Sequence, residues 1–380
     1  MGVDMGRSVV MTRLLYIVSH PIQYQAPLLR RVATEPGIEL RVLFERIHPD
    51  HRYFDTGFGR DVKWDIDLTD GYDYTSTSKA NTAEEIRKAD VVWLHGWQSP
   101  LMKIALSLAK QAGRPVLMRG ENCDLAMPDG PGLPGWLKRI YIARIFRRCD
   151  LFLAIGSANR QYYLSRGVPS DRIVDMPYAV DNEVFAERSA LARTDRSALR
   201  ARLGVPPTRK IVLFAGKLQR RKKPDLLAAA LSDAGWNGDP PALLFVGDGE
   251  LRADLERLAP GAIFTGFVNQ TELPAYYDLA DIFVLPSLRE PWGLAVNEAM
   301  ACGTAVIVSD QVGCAADLVD SKTGRVVPAD DVTALTWALV DCLDRSEDMG
   351  KAARKKIARW GFNEDITGLK TALAKTADVP

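Results

Sequence analysis

The chain of 380 residues contains few cysteines and histidines, and this excludes several classes of protein and site. Its five cysteines are odd in number and show no paired spacing, which argues against a disulfide framework and against a zinc site. The four histidines show no metal-ligand spacing either. Because unpaired, reduced thiols are typical of the cytoplasm, we predict a cytoplasmic protein.

Long apolar runs and an excess of charge of one sign are also missing. No run approaches the roughly 20 apolar residues that span a membrane as a helix. The net charge is +1, so the composition gives no global electrostatic reason to expect nucleic-acid binding. The apolar run near the start is too short for a signal-peptide core, and we expect it to form a first strand at 14–19.

From Arg13 onward, apolar strand patterns alternate with helical patterns, which predicts an α/β fold with parallel, doubly wound sheets. A charged, alanine-rich stretch interrupts the alternation, which then restarts. We therefore predict a first domain at 11–180, a linker at 181–208, a second domain at 209–360 and a helical segment at 361–380 that packs back on the first domain. Since ligands of such sheets bind beyond the carboxyl ends of strands, we expect a cleft between the domains.

The most informative stretch is 286–303, which has the pattern of a strand end, a loop containing Glu290 and a helix that begins near Gly293. A glycine lets a ligand approach the backbone, and the free N–H groups of a first helical turn attract anions. Glu298 follows inside the helix. Carboxylates accept hydrogen bonds from hydroxyls and repel phosphate, so two of them suit a phosphorylated ligand with hydroxyl groups. The alternative is an ordinary turn with a surface glutamate.

Two other loops of the second half follow predicted strands. A basic loop after Gly216 contains Lys217 and Lys222, and these cations would stabilise negative charge on a leaving diphosphate. A solvated basic loop explains the same residues equally well. Phe267, at the end of another strand, has two interpretations, because it would either flank a flat base or pack against the domain core.

Polar clusters follow three strands of the first half. They contain His20 and Gln23, then His95, then Arg119 and Glu121. Because the carboxyl ends of parallel strands lie at one edge of a sheet, we expect these side chains to face the cleft. A structural role for each histidine is the alternative.

Two further stretches have two interpretations each. Residues 45–80 show little periodicity and are rich in aromatic side chains, which is typical of a binding loop or of a cover for the core. The helix predicted at 136–148 carries basic side chains among apolar ones. Such a helix lies on an anionic membrane or packs its apolar residues against its own domain.

The motifs of the second half resemble those of retaining glycosyltransferases of family 4, which have the GT-B fold of two Rossmann-like domains around a cleft. The resemblance covers about residues 177–345. The first half is similar only in its βα pattern, and its HPIQYQAP segment resembles a branch seen among bacterial envelope and polysaccharide enzymes. The matching motifs occur together and in order: Gly216-Lys217-Leu218 with Lys222, Gly247-Asp248-Gly249, Gly266-Phe267-Val268, and Glu290 with Glu298.

The resemblance implies roles for these residues toward a nucleotide-sugar donor. Glu290 would hold hydroxyls of the transferred sugar, and Glu298 would accept the ribose hydroxyls. The first domain, with the polar clusters described above, would bind the acceptor. The remaining donor residues are Lys217, Lys222, Gly216, Gly293 and the amides of Leu294 and Ala295 for the diphosphate, and Phe267 and Val268 for the base.

The resemblance also implies the reaction, which is transfer from a UDP- or GDP-sugar to a hydroxyl acceptor with net retention. The acceptor would be a saccharide, a lipid-linked saccharide or a small molecule, in glycan, polysaccharide or glycolipid synthesis. No metal and no cofactor are expected, since the nucleotide sugar is a substrate. Peripheral contact with the inner face of the membrane is a further hypothesis. The alternative activity is that of an isomerase or phosphorylase on the same two-domain plan.

Overall fold

The protein, described here by a computed structural model over residues 11–47, 52–55, 57–126, 128–236 and 238–377, is built on two parallel β-sheets covered by helices. This is the α/β architecture that the alternation of strand and helix patterns predicts. All neighbouring strands within each of these two sheets are parallel. The bounds of the elements follow, domain by domain.

The strands of the first domain are, in chain order, β1 (Thr12–Val18), β2 (Ile38–Phe44), β3 (Arg52–Asp55), β4 (Arg60–Lys63), β5 (Asp73–Ser76), β6 (Val91–His95), β7 (Val116–Arg119), β8 (Leu151–Ala154) and β9 (Ile173–Asp175). Its helices are α1 (Gln25–Ala33), α2 (Thr82–Lys88), α3 (Pro100–Gln111), α4 (Gly132–Phe146) and α5 (Ser157–Ser165). The sheet has the order β5-β2-β1-β6-β7-β8-β9. Helices cover both of its faces, so its central strands are continuous apolar runs.

The second domain is built around the order β12-β11-β10-β13-β14-β15. Its strands are β10 (Ile211–Ala215), β11 (Ala242–Val246), β12 (Ile263–Gly266), β13 (Ile282–Leu285), β14 (Ala305–Ser309) and β15 (Gly324–Val327). The helices from residue 181 onward are α6 (Asn182–Ala192), α7 (Arg196–Arg202), α8 (Pro224–Asp233), α9 (Arg252–Leu258), α10 (Leu273–Leu279), α11 (Leu294–Cys302), α12 (Ala315–Leu318), α13 (Val332–Leu343), α14 (Ser346–Ile357) and α15 (Phe362–Thr376).

The segment 181–208, which we expected to link the domains, is largely helical in the structure. Its helix α6 contacts α10 and α11, and Phe185 is buried in the core of the second domain. Arg193 also forms an ion pair of 2.6 Å with the buried Asp278 on α10. These helices therefore belong to the packing of the second domain, and most of their charged residues are at least partly exposed.

The last helix returns to the first domain. Ile366, Leu369 and Ala372 on α15 are buried in the same cluster as β1 and β2. Just before this helix, the Trp360 ring stacks on Trp292 of the second domain with a centroid distance of 5.5 Å. The chain thus crosses between the domains twice, and apolar packing holds the second crossing.

The irregular stretch at 45–80 contains more regular structure than its sequence pattern predicts. Strand β5 adds an edge to the first sheet, while β3 and β4 form an antiparallel hairpin outside it. The sequence pattern does not reveal these three strands, because each has only four residues and loops interrupt the periodicity. We call β3, β4, residues 57–59 of their turn and the following residues 64–65 the hairpin.

Candidate functional site

The predicted donor residues of the second domain lie together, beyond the carboxyl ends of neighbouring strands. Lys217 follows β10, Phe267 follows β12 and Glu290 follows β13. Strand β10 lies next to β13 in the sheet and is separated from β12 by β11 alone. The parallel order of the strands therefore directs all three loops to one edge, where ligands of open α/β sheets bind.

The centre of this edge is the ion pair between Glu290 and Lys222. Lys222 Nζ lies 2.7 Å from Glu290 Oε2, and Arg221 donates to the same oxygen at 3.3 Å. Burial alone raises the pKa of Glu290, but the charges of Lys222 and Arg221 outweigh it, and the net pKa lies below the ordinary value. Glu290 is therefore ionised at neutral pH and acts as a hydrogen-bond acceptor rather than as an acid.

Helix α11 begins directly beside this ion pair. Its N-cap, Gly293, has φ of +98°, a conformation that favours glycine, and it offers no side chain to cap the first turn. A Cβ atom at this position would lie 3.6 Å from Glu290 Cγ and 2.9 Å from Val312 Cγ1. The amides of Leu294 and Ala295 at this end suit an anion, because the first N–H groups of a helix have no partner within it.

Glu298 lies inside α11 and is buried against Tyr277. The Tyr277 hydroxyl donates to Glu298 Oε2 at 2.8 Å. Burial raises the pKa of Glu298 to about 7, although the hydrogen bond from Tyr277 and the charge of Lys222 oppose the shift. A buried carboxyl group in a cleft whose pKa is raised this far is typical of a functional position.

Lys217 does not face an open cleft, because the hairpin of the first domain covers it. Its Nζ lies 2.7 Å from Asp55 Oδ1, and the carboxylate of Asp55 is buried. The predicted base-flanking residue Phe267 is covered by the same hairpin, since the ring centroids of Phe58 and Trp64 lie 5.0 and 5.7 Å from it. Val268 is partly buried and packs against the core of the second domain.

The first cluster, which includes Gln25 two residues after Gln23, lies against the second cluster at His95. His95 is hydrogen-bonded to Gln25, whose Nε2 lies 3.0 Å from His95 Nε2, and Gln25 in turn accepts a hydrogen bond of 2.8 Å from Tyr16. Burial and the charges of Arg119 and His20 lower the pKa of His95 to about 3, so His95 is neutral. His20 itself pairs with Ser19 at 2.8 Å.

Glu121 lies between two tyrosines that approach it from different parts of the chain. Tyr24 donates to Glu121 Oε1 at 2.7 Å, and Tyr178 donates to the same oxygen. Gln23, one residue before Tyr24, is half-buried. This arrangement places hydrogen-bonding groups on the first-domain side, where an acceptor is expected.

Arg119 is the predicted acceptor residue that the structure does not bring into the cleft. It is only 2% exposed and forms an ion pair of 2.8 Å with the fully buried Asp365 on α15. It also donates to the carbonyl oxygens of Met176 and Pro177. Its position at a strand end suggested a binding role, but its partners show that it fastens the returning helix to the first domain.

Three residues on the donor side of the site have no counterpart among the predictions. Arg221 shares Glu290 with Lys222, Tyr277 holds Glu298, and Asp55 holds Lys217. The aromatic character of the stretch at 45–80 was the one signal that pointed toward Asp55. Nothing in the local pattern marks Tyr277, because its partner lies 21 residues further along the chain.

Comparison with known proteins adds independent information about this chain. Residues 195–356 match the model of the family described as "Glycosyl transferases group 1". The chain is 32% identical over 283 residues to a GDP-mannose-dependent alpha-(1-6)-phosphatidylinositol monomannoside mannosyltransferase of Mycolicibacterium smegmatis, covering 70% of this chain and 71% of that protein. It is 29% identical to a D-inositol 3-phosphate glycosyltransferase of Catenulispora acidiphila, covering 74% of this chain and 71% of that one.

A solved structure supports the fold over nearly the whole chain. An Anabaena protein in complex with UDP and glucose superposes with a TM-score of 0.70 at 15% identity, covering 96% of this chain and all of that one. At this level of identity the likeness concerns the fold alone, and it confirms the predicted GT-B architecture.

The raised pKa of Glu298 predicts a pH-dependent gain in stability on replacing it with glutamine. A buried carboxyl with a pKa near 7 costs stability as the pH rises from its unfolded pKa of 4.5 to 7, because the unfolded chain ionises this group over that range while the folded protein keeps it protonated. We expect Glu298→Gln to stabilise the protein by on the order of 2 kcal/mol at pH 8 and to have little effect at pH 5. Urea unfolding of both proteins at the two pH values measures this, and an equal effect at both would contradict it.

Proposed function

The chain belongs to the glycosyl transferases group 1 family and is a glycosyltransferase that uses nucleotide sugars. From this premise we propose that it moves a sugar from a GDP- or UDP-sugar to a hydroxyl acceptor with net retention. The observation that carries the proposal is the ionised Glu290, paired with Lys222 beside the uncapped start of α11. The comparisons favour this activity over the isomerase or phosphorylase alternative.

The donor diphosphate would bind where positive charge and free amides converge. Lys222 and Lys217 supply the cations, and the backbone amides of Leu294 and Ala295 supply further donors. Gly216 and Gly293 leave the backbone open on either side. Because two lysines and a helix N-terminus can stabilise the charge of the leaving diphosphate, we propose that the reaction needs no metal ion.

Glu290 would hold hydroxyl groups of the transferred sugar, and Glu298 those of the ribose. In the reaction the bond between the sugar carbon and the diphosphate oxygen breaks, and the acceptor oxygen bonds to the same face of that carbon. The acceptor proton passes to the leaving phosphate. Since Glu290 is ionised, it accepts hydrogen bonds and stabilises the positive charge that develops on the sugar. The reaction then needs no covalent intermediate between the sugar and the protein.

The names of the relatives suggest substrates to test first. One similar protein is named for GDP-mannose and a phosphatidylinositol mannoside, and another for inositol 3-phosphate. We propose GDP-mannose as the first donor to test, with UDP-glucose as the second. A polyol or a lipid-linked saccharide is the proposed acceptor, bound near His20, Gln23, His95 and Glu121.

Helix α4 supports peripheral contact with a membrane. Its buried face, with Ile142 and Phe146, packs on the first domain as the packing alternative requires. A second apolar set on the same helix remains exposed, however, and Trp136 is 57% and Leu137 52% exposed. Further exposed side chains on and just after the helix are Leu133, Arg139, Tyr141, Arg144, Arg147 and Arg148. No helix among the described residues is long and apolar enough to span a membrane.

Replacing Glu290 tests the assignment of the reaction centre. We expect Glu290→Gln to lower the turnover of the accepted nucleotide sugar by about 10²- to 10³-fold, because the neutral amide no longer stabilises the developing positive charge. Nucleoside diphosphate release from GDP-mannose and UDP-glucose, in the presence of inositol phosphates and lipid extracts as acceptors, measures the rate. Glu347→Gln is the matched control, because Glu347 is exposed on α14. Turnover near that of the wild type in Glu290→Gln would refute the assignment.

The exposed face of α4 predicts binding to anionic vesicles. We expect the protein to sediment with phosphatidylglycerol vesicles but not with phosphatidylcholine vesicles, and salt should weaken the binding. The double variant Trp136→Ser/Leu137→Ser should bind at least about tenfold more weakly, since it removes two apolar contacts. Trp337→Ser is the control, because Trp337 is similarly exposed on the second domain. Failure of the wild type to sediment with anionic vesicles would remove the proposal.

A further inference from the structure

The hairpin of the first domain reaches across the cleft and contacts both parts of the predicted donor site. Asp55 binds Lys217, where the diphosphate is expected, and Phe58 and Trp64 contact Phe267, where the base is expected. The hairpin and a donor would therefore contact the same two residues, Lys217 and Phe267.

The contact at Lys217 is a close and well-formed one. Lys217 Nζ lies 2.7 and 2.8 Å from the two oxygens of Asp55. The amides of Gly57 and Phe58 donate to the same carboxylate at 2.8 and 3.2 Å, so the turn of the hairpin holds Asp55 in place. A Cβ atom on Gly57 would lie 2.4 Å from Lys217 Cδ, which shows how closely the turn packs on the lysine.

The carboxylate of Asp55 and a diphosphate compete for the same cation. Both are anions that bind an ammonium group, and both would have to lie within hydrogen-bond distance of Lys217 at once. Two neighbouring anions repel each other, and Asp55 is buried, where water does little to screen the repulsion. A donor that binds Lys217 therefore weakens the contact of Asp55.

The aromatic contact leads to the same conclusion. Phe58 meets Phe267 edge-on at a centroid distance of 5.0 Å, which is direct ring contact and leaves no space for a flat base between them. Arg60 lies over the Phe267 ring at 5.4 Å, which adds a cation–π contact. The hairpin thus places an anion on the lysine and an aromatic ring on the phenylalanine, which are the two chemical features of a nucleoside diphosphate.

Further contacts anchor the base of the hairpin to the second domain. Asn269 Nδ2 donates to the carbonyl oxygen of Lys63 at 2.8 Å. Asp65 accepts a hydrogen bond of 3.1 Å from the Thr271 amide and another from the Thr271 hydroxyl. These hydrogen bonds hold residues 63–65, and Trp64 with them, on the second domain, whereas Asp55 and Phe58 belong to the turn at the other end of the hairpin.

We propose that the turn of the hairpin is a built-in competitor of the donor: Asp55 must leave Lys217, and Phe58 must leave Phe267, before a nucleoside diphosphate can bind. The proposal rests on the proposed function, because it takes the donor to bind at these two residues. The contact lowers the apparent affinity for the donor, since only the fraction of molecules with an open hairpin can bind. It also keeps Asp55 and Lys217 paired when no donor is present.

Removing the carboxylate charge of Asp55 tests the competition. We expect Asp55→Asn to bind GDP or UDP about five- to tenfold more tightly than the wild type in isothermal titration calorimetry, because the open fraction rises. The asparagine retains an oxygen that can accept the amides of Gly57 and Phe58. The matched control is Asp61→Asn, which removes the same charge from an exposed position of the same hairpin and should change the affinity less than about twofold.

A second variant separates competition from a general effect of charge. Phe58→Ala alters no charge, and it should also tighten the binding of GDP or UDP, because it removes the ring that covers Phe267. Weaker binding by Phe58→Ala would mean that the hairpin completes the donor site, and it would overturn the proposal.

The outcomes distinguish this proposal from the proposed function. If the wild type binds GDP or UDP and Asp55→Asn binds it no more tightly, the competition is refuted and the function stands. If neither protein binds either nucleotide, both proposals fail. Binding by Asp55→Asn alone would support both.

Discussion

The ion pair of Glu290 and Lys222 is the interaction on which the site depends. It joins the loops that follow two neighbouring parallel strands, β10 and β13, at the start of α11. A buried carboxylate would be costly without a partner, and Lys222 keeps it ionised. Lys217 is paired in the same way with Asp55 from the other domain. Both lysines that we propose for the diphosphate are thus paired with carboxylates.

Short-range patterns in the sequence predicted the fold and the half of the site that lies within one domain. The strands are apolar runs, and Glu290, Gly293 and Glu298 lie within one strand–loop–helix unit, so their spacing carries the geometry. The pairs that the sequence did not predict join distant segments. Asp55 and Lys217 are 162 residues apart, and Arg119 and Asp365 are 246 apart. Such pairs follow from how the domains pack, which no local period encodes.

The contacts between the domains divide into a fixed set and an exchangeable set. Near the chain crossings, Trp292 stacks on Trp360. Asn297 there donates to the carbonyl oxygen of Tyr178 at 3.0 Å. These are apolar or buried contacts with no charge to exchange. At the turn of the hairpin the contacts are an ion pair and ring edges, which a charged, aromatic ligand can replace, whereas hydrogen bonds to Asn269 and Thr271 hold its base.

The central claim is that a nucleoside diphosphate binds where Lys222, Glu298 and the start of α11 meet. A thermal-shift screen of the wild type with GDP, UDP, ADP, dTDP and CDP tests it most directly, because a ligand of the folded state raises the melting temperature. The account predicts a selective rise on the order of 5 °C at about 100-fold excess over Kd, and its loss in Glu298→Ala. No rise with any nucleotide, or an equal rise in the variant, would contradict it.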